Sequence, residues 1–246
     1  MKRKMRVAAA ILGLAVGVQA AVAAEATWDA DVFSQYVWRG QVLNRAAVFQ
    51  PALTVESDFG LSGGFWANMD LTDRNGTEME ISEVDLWVSY ALPLEGVFGA
   101  ALTFTEYLFP NTDDEATREL ELELALDVLL APTLTLAHEI DAGSSIYAAL
   151  SLGHAFDLGD RLELDLGGSI GWATAAYNRD YFEVDQAALN DVTLSLGLTA
   201  SLSERCSLSL LTSFSLLPDS DVRDAAKEIF GADTAWVAGL RFSYRF

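Results

Sequence analysis

Residues 118–128 read RELELELALDV. Leu120, Leu122, Leu124, Leu126 and Val128 fall on one parity. Glu119, Glu121, Glu123 and Asp127 fall on the other. Wound as a helix, the stretch scatters its leucines around the cylinder. Extended, it sorts them onto one face, because successive side chains of a strand point to opposite sides.

The same alternation recurs along the chain. In RLELDLGGSIGW (161–172), Leu162, Leu164, Leu166, Ile170 and Trp172 oppose Arg161, Glu163 and Asp165. The chain ends GLRFSYRF, with Leu240, Phe242, Tyr244 and Phe246 against Arg241 and Arg245. The pattern predicts strands near 27–38, 46–57, 60–71, 80–91, 97–107, 117–129, 133–141, 144–155, 161–172, 190–201, 205–216 and 235–246. Their lengths suit tilted strands crossing a bilayer.

The links between them alternate in length. DFG, LPLEG, APT, DLGD and LSER are short, whereas most of the others are long, DAGS (141–144) being the exception. Short turns on one rim and long loops on the other, with an even strand number, predict an all-β transmembrane, antiparallel, up-and-down barrel of about 12 strands. A soluble sandwich also alternates, but it needs neither that number of strands nor aromatics at the strand ends. In lipid a free strand edge has no hydrogen-bond partner, so the last strand must pair with the first.

The N-terminus carries Lys2, Arg3, Lys4 and Arg6, then an apolar stretch, then QAAVAAE. This is the pattern of a signal peptide, residues 1–24, cleaved after Ala24, with the barrel in 25–246. Its removal takes away four cations and no acid, so the net charge moves from −21 to −25. Such a chain is unsuited to nucleic acid. A single cysteine, Cys206, excludes an internal disulfide.

With the apolar parity outside, the inner face is acidic. Candidate lumen residues are Asp29, Asp31, Glu56, Asp70, Glu83, Asp85, Glu119, Glu121, Glu123, Asp127, Glu139, Glu163 and Asp165. Arg118, Arg161, Arg205, Arg241 and Arg245 are set against them. Trp66 and Trp87 share the inward parity. An excess of carboxylates in a narrow tube favours cations and uncharged polar solutes over anions. The alternative is a network of arginine–carboxylate pairs that fills a closed, structural barrel.

Trp28, Tyr36, Trp38, Tyr90, Phe98, Trp172, Trp236, Tyr244 and Phe246 are expected in the interfacial girdles. The loop DSDVRDAAKEIFG (219–231) reads either as a solvated surface turn or as a short helix folded over the mouth, capped by Ser220 and stopped by Gly231, with Val222, Ala225 and Ile229 as its apolar face. Catalysis has little support. The two histidines, His138 and His154, sit on the lipid-facing parity, and only Ser145 or Ser151 with a histidine offers a nucleophile for a lipid-modifying enzyme. No cofactor or metal is expected. The acidic run NTDDE (111–115) is read as a solvated loop, with divalent-ion bridging to lipopolysaccharide as its alternative use.

SQYVWRG (34–40), VFQPALTVES (48–57), GGFWANMD (63–70) and EVDLWVSY (83–90) resemble the TorF family of outer-membrane porins. The likeness rests on Ser34, Tyr36, Val37, Arg39 and Gly40, more loosely on Gly64, Trp66, Asn68 and Asp70, and on Glu83, Asp85 and Tyr90. It covers roughly residues 30–110. QVLNRAAVFQ departs from the family pattern after Arg-Gly. The resemblance implies a porin of the Gram-negative outer membrane, and in its light Arg39 with Asp70, Glu83 and Asp85 reads as an inward charge cluster. A terminal Phe246 likewise resembles the signature that such barrels show to their assembly machinery. The implied partners are outer-membrane lipid and lipopolysaccharide, the barrel-assembly machinery and small polar solutes, with both termini periplasmic.

Overall fold

The structure is a computed structural model and describes residues 24–141 and 145–246. Residues 1–23 of the expected signal peptide, and most of the expected turn at 141–144, lie outside the described residues. The barrel strands are β1 (Ala24–Phe33), β4 (Val48–Ser57), β5 (Leu61–Asp70), β6 (Ile81–Ala91), β7 (Phe98–Leu108), β8 (Thr117–Leu126), β9 (Thr133–Glu139), β10 (Ile146–Asp157), β11 (Leu162–Ala173), β12 (Ala188–Ser201), β13 (Cys206–Leu216) and β14 (Thr234–Arg245). All twelve are antiparallel to their neighbours, and β14 closes on β1 from Thr27↔Arg245 to Phe33↔Gly239.

Alternation builds this wall directly. Leu120, Leu124, Leu134, Leu150, Leu166, Leu194, Leu210 and Leu240 are exposed on the outside, as a surface made for hydrocarbon should be. Trp28, Tyr90, Phe98, Trp172, Trp236 and Phe246 are exposed too, at or near strand ends. Short turns at one rim join β4–β5, β6–β7, β8–β9, β10–β11 and β12–β13; the long connections lie at the other rim.

Three of the long connections fold inward, and here the structure departs from the expected strands. The first strand ends at Phe33 rather than at residue 38. Ser34 makes two bonds to Ala238 of β14, N–H to its carbonyl at 2.8 Å and Oγ from its N–H at 3.0 Å, and the chain then bends away from the wall. It forms a hairpin of β2 (Tyr36–Trp38) and β3 (Gln41–Asn44). Tyr36 and Trp38 therefore leave the outward parity and point into the barrel rather than joining the girdle. The second inward segment is α1 (Ala175–Phe182), which the alternation did not announce. Its N-cap is Thr174, and its C-cap Glu183 is left-handed, with φ 58°.

The third is the expected helix, α2 (Ser220–Ile229). Its N-cap is Asp219 rather than Ser220, since the Asp219 carboxylate accepts from the N–H groups of Asp221 (2.9 Å) and Val222 (3.1 Å). An aspartate accepts two such bonds and carries the charge that a helix N-terminus favours. The buried face is Val222 and Ala226, with Ala225 partly covered and Ile229 exposed. Both helices pack in the mouth, where Tyr177, Phe182, Leu217, Val222 and Ala226 meet Ala137, Tyr147, Ala173 and Ala188 of the wall. The wall is lined with alanine where the helices lie against it, so a core of side chains fits inside the barrel.

Candidate channel constriction

The hairpin is joined by a two-residue turn, Arg39 (φ 47°) and Gly40 (φ 80°). Two left-handed residues are what a tight hairpin turn requires. A Cβ on Gly40 would stand 2.5 Å from Leu217 Cδ2 and 2.9 Å from Asp191 Cβ, so the turn lies against the wall with no room for a side chain there. That turn carries Arg39 across the lumen. The hairpin springs from between β1 and β4, whereas its partner Glu119 is on β8, five strands round the ring from β1.

Arg39 Nη1 donates to Glu119 Oε2 at 2.7 Å and Nη2 to Oε1 at 2.8 Å, a bidentate pair with side-chain exposures of 11% and 7%. Tyr107 Oη donates to Glu119 Oε1 at 3.1 Å. The guanidinium lies 4.4 Å from the Trp38 ring centroid and 4.5 Å from that of Tyr147. Burial opposes the charge on Arg39; Tyr177 and the Glu119 carboxylate more than offset it and hold its pKa well above the ordinary value. Gln41 Nε2 donates to Tyr177 Oη (3.3 Å) and Tyr147 Oη donates to Asp191 Oδ1 (2.9 Å), so the turn is set in polar contacts.

At the other end of the hairpin Tyr36 packs against Trp66, 5.4 Å between centroids with the rings tilted by 49°. Burial, then the carboxylates of Glu83 and Asp85, push the Tyr36 hydroxyl well up from its usual range. Asp85 Oδ1 is buried without a hydrogen-bond partner among the described residues. Thus Glu83, Asp85, Glu119 and Trp66 meet the hairpin, with Glu121 4.0 Å from Arg39.

The remaining expected lumen residues are dispersed. Asp31 binds Arg241 (2.7 Å) and Asp29 accepts from Ser243 (2.5 Å) across the β1–β14 seam. Asp70 is buried in a small network with Asn68 and Thr77 under the 71–80 loop. Trp87 is half-buried on β6 opposite Gly64. Glu56, Glu123 and Glu163 are exposed, and Asp165 is half-buried opposite Gly197. Asp127 and Arg161 lie in turns beyond their strands, and Arg245 is exposed at the end of β14. Phe246 is exposed, and its N–H bonds to Ala26. Arg118, set in the lumen on charge alone, shares the outward parity of Leu120 and pairs with Asp141 at an exposed site (2.7 Å). His138 Nδ1 lies 3.1 Å from the carbonyl oxygen of Ser145 rather than its hydroxyl. Among the described residues there is no group of three or more metal-binding side chains.

The expected inward cluster of Arg39 with Asp70, Glu83 and Asp85 is corrected: Arg39 pairs with Glu119 instead, and Asp70 is bonded to Asn68 and Thr77. Tyr107, Tyr147, Tyr177 and Asp191 were not anticipated. The signal for the hairpin was present in YVWRGQV, two short β-type runs separated by x-Gly. Beside the hairpin a cavity of about 330 Å³ remains, bounded by Arg39, Gln50 and Trp66 on one side and by Thr193, Ser213 and Ser215 on the other.

Comparison with known proteins places this geometry in context. The family model described as MltA-interacting protein MipA matches residues 12–246. No curated protein matches the chain. The KdgM porin is similar in structure, with a TM-score of 0.54 at 10% identity over 89% of this chain and 99% of that one. The NanC porin gives 0.52 at 9% identity over 88% and 97%. An outer membrane channel from Pseudomonas putida F1 gives 0.50 at 11% identity over 93% and 97%. At such identities the likeness is one of fold. The TorF resemblance is not confirmed at the level of family; the residues that carried it at 34–40 form the bend, β2 and the turn of the inward hairpin.

Proposed function

The chain belongs to the MipA family, and from that premise we propose that it is a barrel of the Gram-negative outer membrane, both termini periplasmic, acting as a narrow passive channel for small uncharged or cationic polar solutes. The observation that carries this is the Arg39–Glu119 bridge, which spans the lumen with a cavity of about 330 Å³ beside it that we read as the passage. Thr193, Ser213 and Ser215 present hydroxyls to that passage, and the Thr193 and Ser215 hydroxyls are 2.8 Å apart. Hydroxyls replace the hydration of an uncharged polar solute without selecting a charge. The carboxylates of Glu83, Asp85 and Glu121 lie on the hairpin's other flank and disfavour anions.

Permeation into liposomes tests the reading. Vesicles carrying the refolded protein should admit glycerol and glycine amide faster than protein-free vesicles, should exclude a trisaccharide, and should admit lactate least among solutes of similar size. Entry of the trisaccharide or preferential entry of lactate contradicts it.

A second reading is favoured by the family match itself. The family's name records interaction with MltA, which suits a barrel whose lumen is closed and whose rim binds other proteins. Failure of every solute to enter, from barrels shown to be folded, would select it.

A further inference from the structure

β10 overhangs its neighbour. It has twelve residues and β9 has seven, and their pairing stops at Ser151↔Thr133. Residues 152–157 therefore have no strand partner on that side, while on the other side the β10–β11 ladder continues to Asp157↔Glu163.

The direction of the backbone groups follows from the bonds that are made. The Ser145 carbonyl accepts from Glu139, and the Gly153 N–H donates to Leu130 (2.9 Å), so odd residues of β10 face β9 and the 127–132 turn. The Ile146 carbonyl accepts from Thr174 and the Leu158 N–H donates to Leu162, so even residues face β11. Ala155 and Asp157 thus point their N–H and C=O groups at the open side. Among the described residues neither makes a hydrogen bond there. At the same rim two other ladders are each extended by one bond. Phe246 N–H bonds Ala26 beside β1, and Leu92 N–H bonds Ala100 beside β7.

An unpaired edge is a template for another strand. We propose that the β10 edge at 154–157 is a docking site for an extended, basic segment of a periplasmic protein, bound by strand addition. The inference takes its orientation from the reading above and nothing from conduction. The charge around the edge selects the partner: Asp127, Asp157, Asp160 and Glu163 are exposed there against Arg161 alone. Leu129, Phe156 and Leu158 are exposed beside it and receive alternate apolar side chains. A second copy of this chain does not fit. Two barrels related by an axis along the membrane normal present identical residues at one height, whereas a parallel ladder needs a one-residue stagger.

The test uses the refolded protein in detergent micelles and a labelled hexapeptide of alternating lysine and valine, with a glutamate–valine hexapeptide as control. Fluorescence anisotropy should show saturable binding of the lysine peptide only, weaker at high salt. Ala155→Pro removes a donor that no native bond uses, and should lower affinity at least ten-fold; Ala155→Ser keeps the donor and should leave affinity unchanged. Amide exchange on the wild-type protein gives a readout independent of the variant's folding: the Ala155 and Asp157 amides should exchange fast in the free protein and slow with peptide. Absence of binding, equal binding by Ala155→Pro, or slow exchange of these amides in the free protein would overturn the proposal.

Discussion

A guanidinium with 11% of its side chain exposed gives up most of its hydration, and only good geometry recovers that loss. At Arg39 the recovery has three sources: the bidentate carboxylate of Glu119, and the faces of Trp38 and Tyr147. Removing the carboxylate strands a buried charge, which costs about 3–5 kcal/mol. Glu119→Ala should therefore lower the urea midpoint of the folded barrel strongly, read as loss of heat-modifiable electrophoretic mobility. Glu123→Ala, on the same strand and face but exposed, should change stability by under about 0.5 kcal/mol. Equal effects of the two would show that the bridge contributes nothing to the folded state.

At the scale of elements, the structure separates what alternation specifies from what it does not. The twelve wall strands follow from period-two patterning, because lipid outside and polar groups inside enforce it along every strand. The inward segments obey other rules. Tyr36 and Trp38 keep the parity of β1 in the sequence, yet the bend at Ser34 takes them off the wall, and parity counting carries no information past a bend. Arg39 and the carboxylates at the constriction were legible as inward-facing, but their pairing was not: Arg39 was set against Asp70, Glu83 and Asp85, whereas it reaches Glu119 across 80 residues of sequence. α1 has low amphipathicity in AAYNRDYF and buries Tyr177 and Phe182 inside a barrel, where a conventional polar outer face is not required. α2 was legible as a helical segment, but its cap is Asp219 rather than Ser220 and its buried face runs through Val222 and Ala226, with Ile229 exposed. Asp219→Ala should cost its first turn about 1 kcal/mol. Hydrogen exchange should then speed up within Ser220–Ile229 while the β13 and β14 amides stay slow; unchanged exchange in α2 would show that packing on α1, not the cap, fixes the helix.

For the whole molecule, the fold resolves a conflict set by composition. A chain with a formal charge of −21 lines a narrow tube with carboxylates that repel one another. Arg39 neutralises the constriction through Glu119, and Arg241 neutralises Asp31 beside β14. The inner hairpin, α1 and α2 fill much of the width on the long-loop side, so the closed ring of strands encloses a packed interior with a cavity of about 330 Å³ beside the hairpin. On the proposed channel reading the β2–β3 hairpin sets the width of the solute path, and single-channel recording in a planar bilayer under a KCl gradient tests it most directly. The wild-type barrel should give small, cation-preferring steps, and a variant with Tyr36–Asn44 replaced by a short glycine–serine link should give steps several-fold larger. Steps of equal size from the two folded proteins would contradict the account.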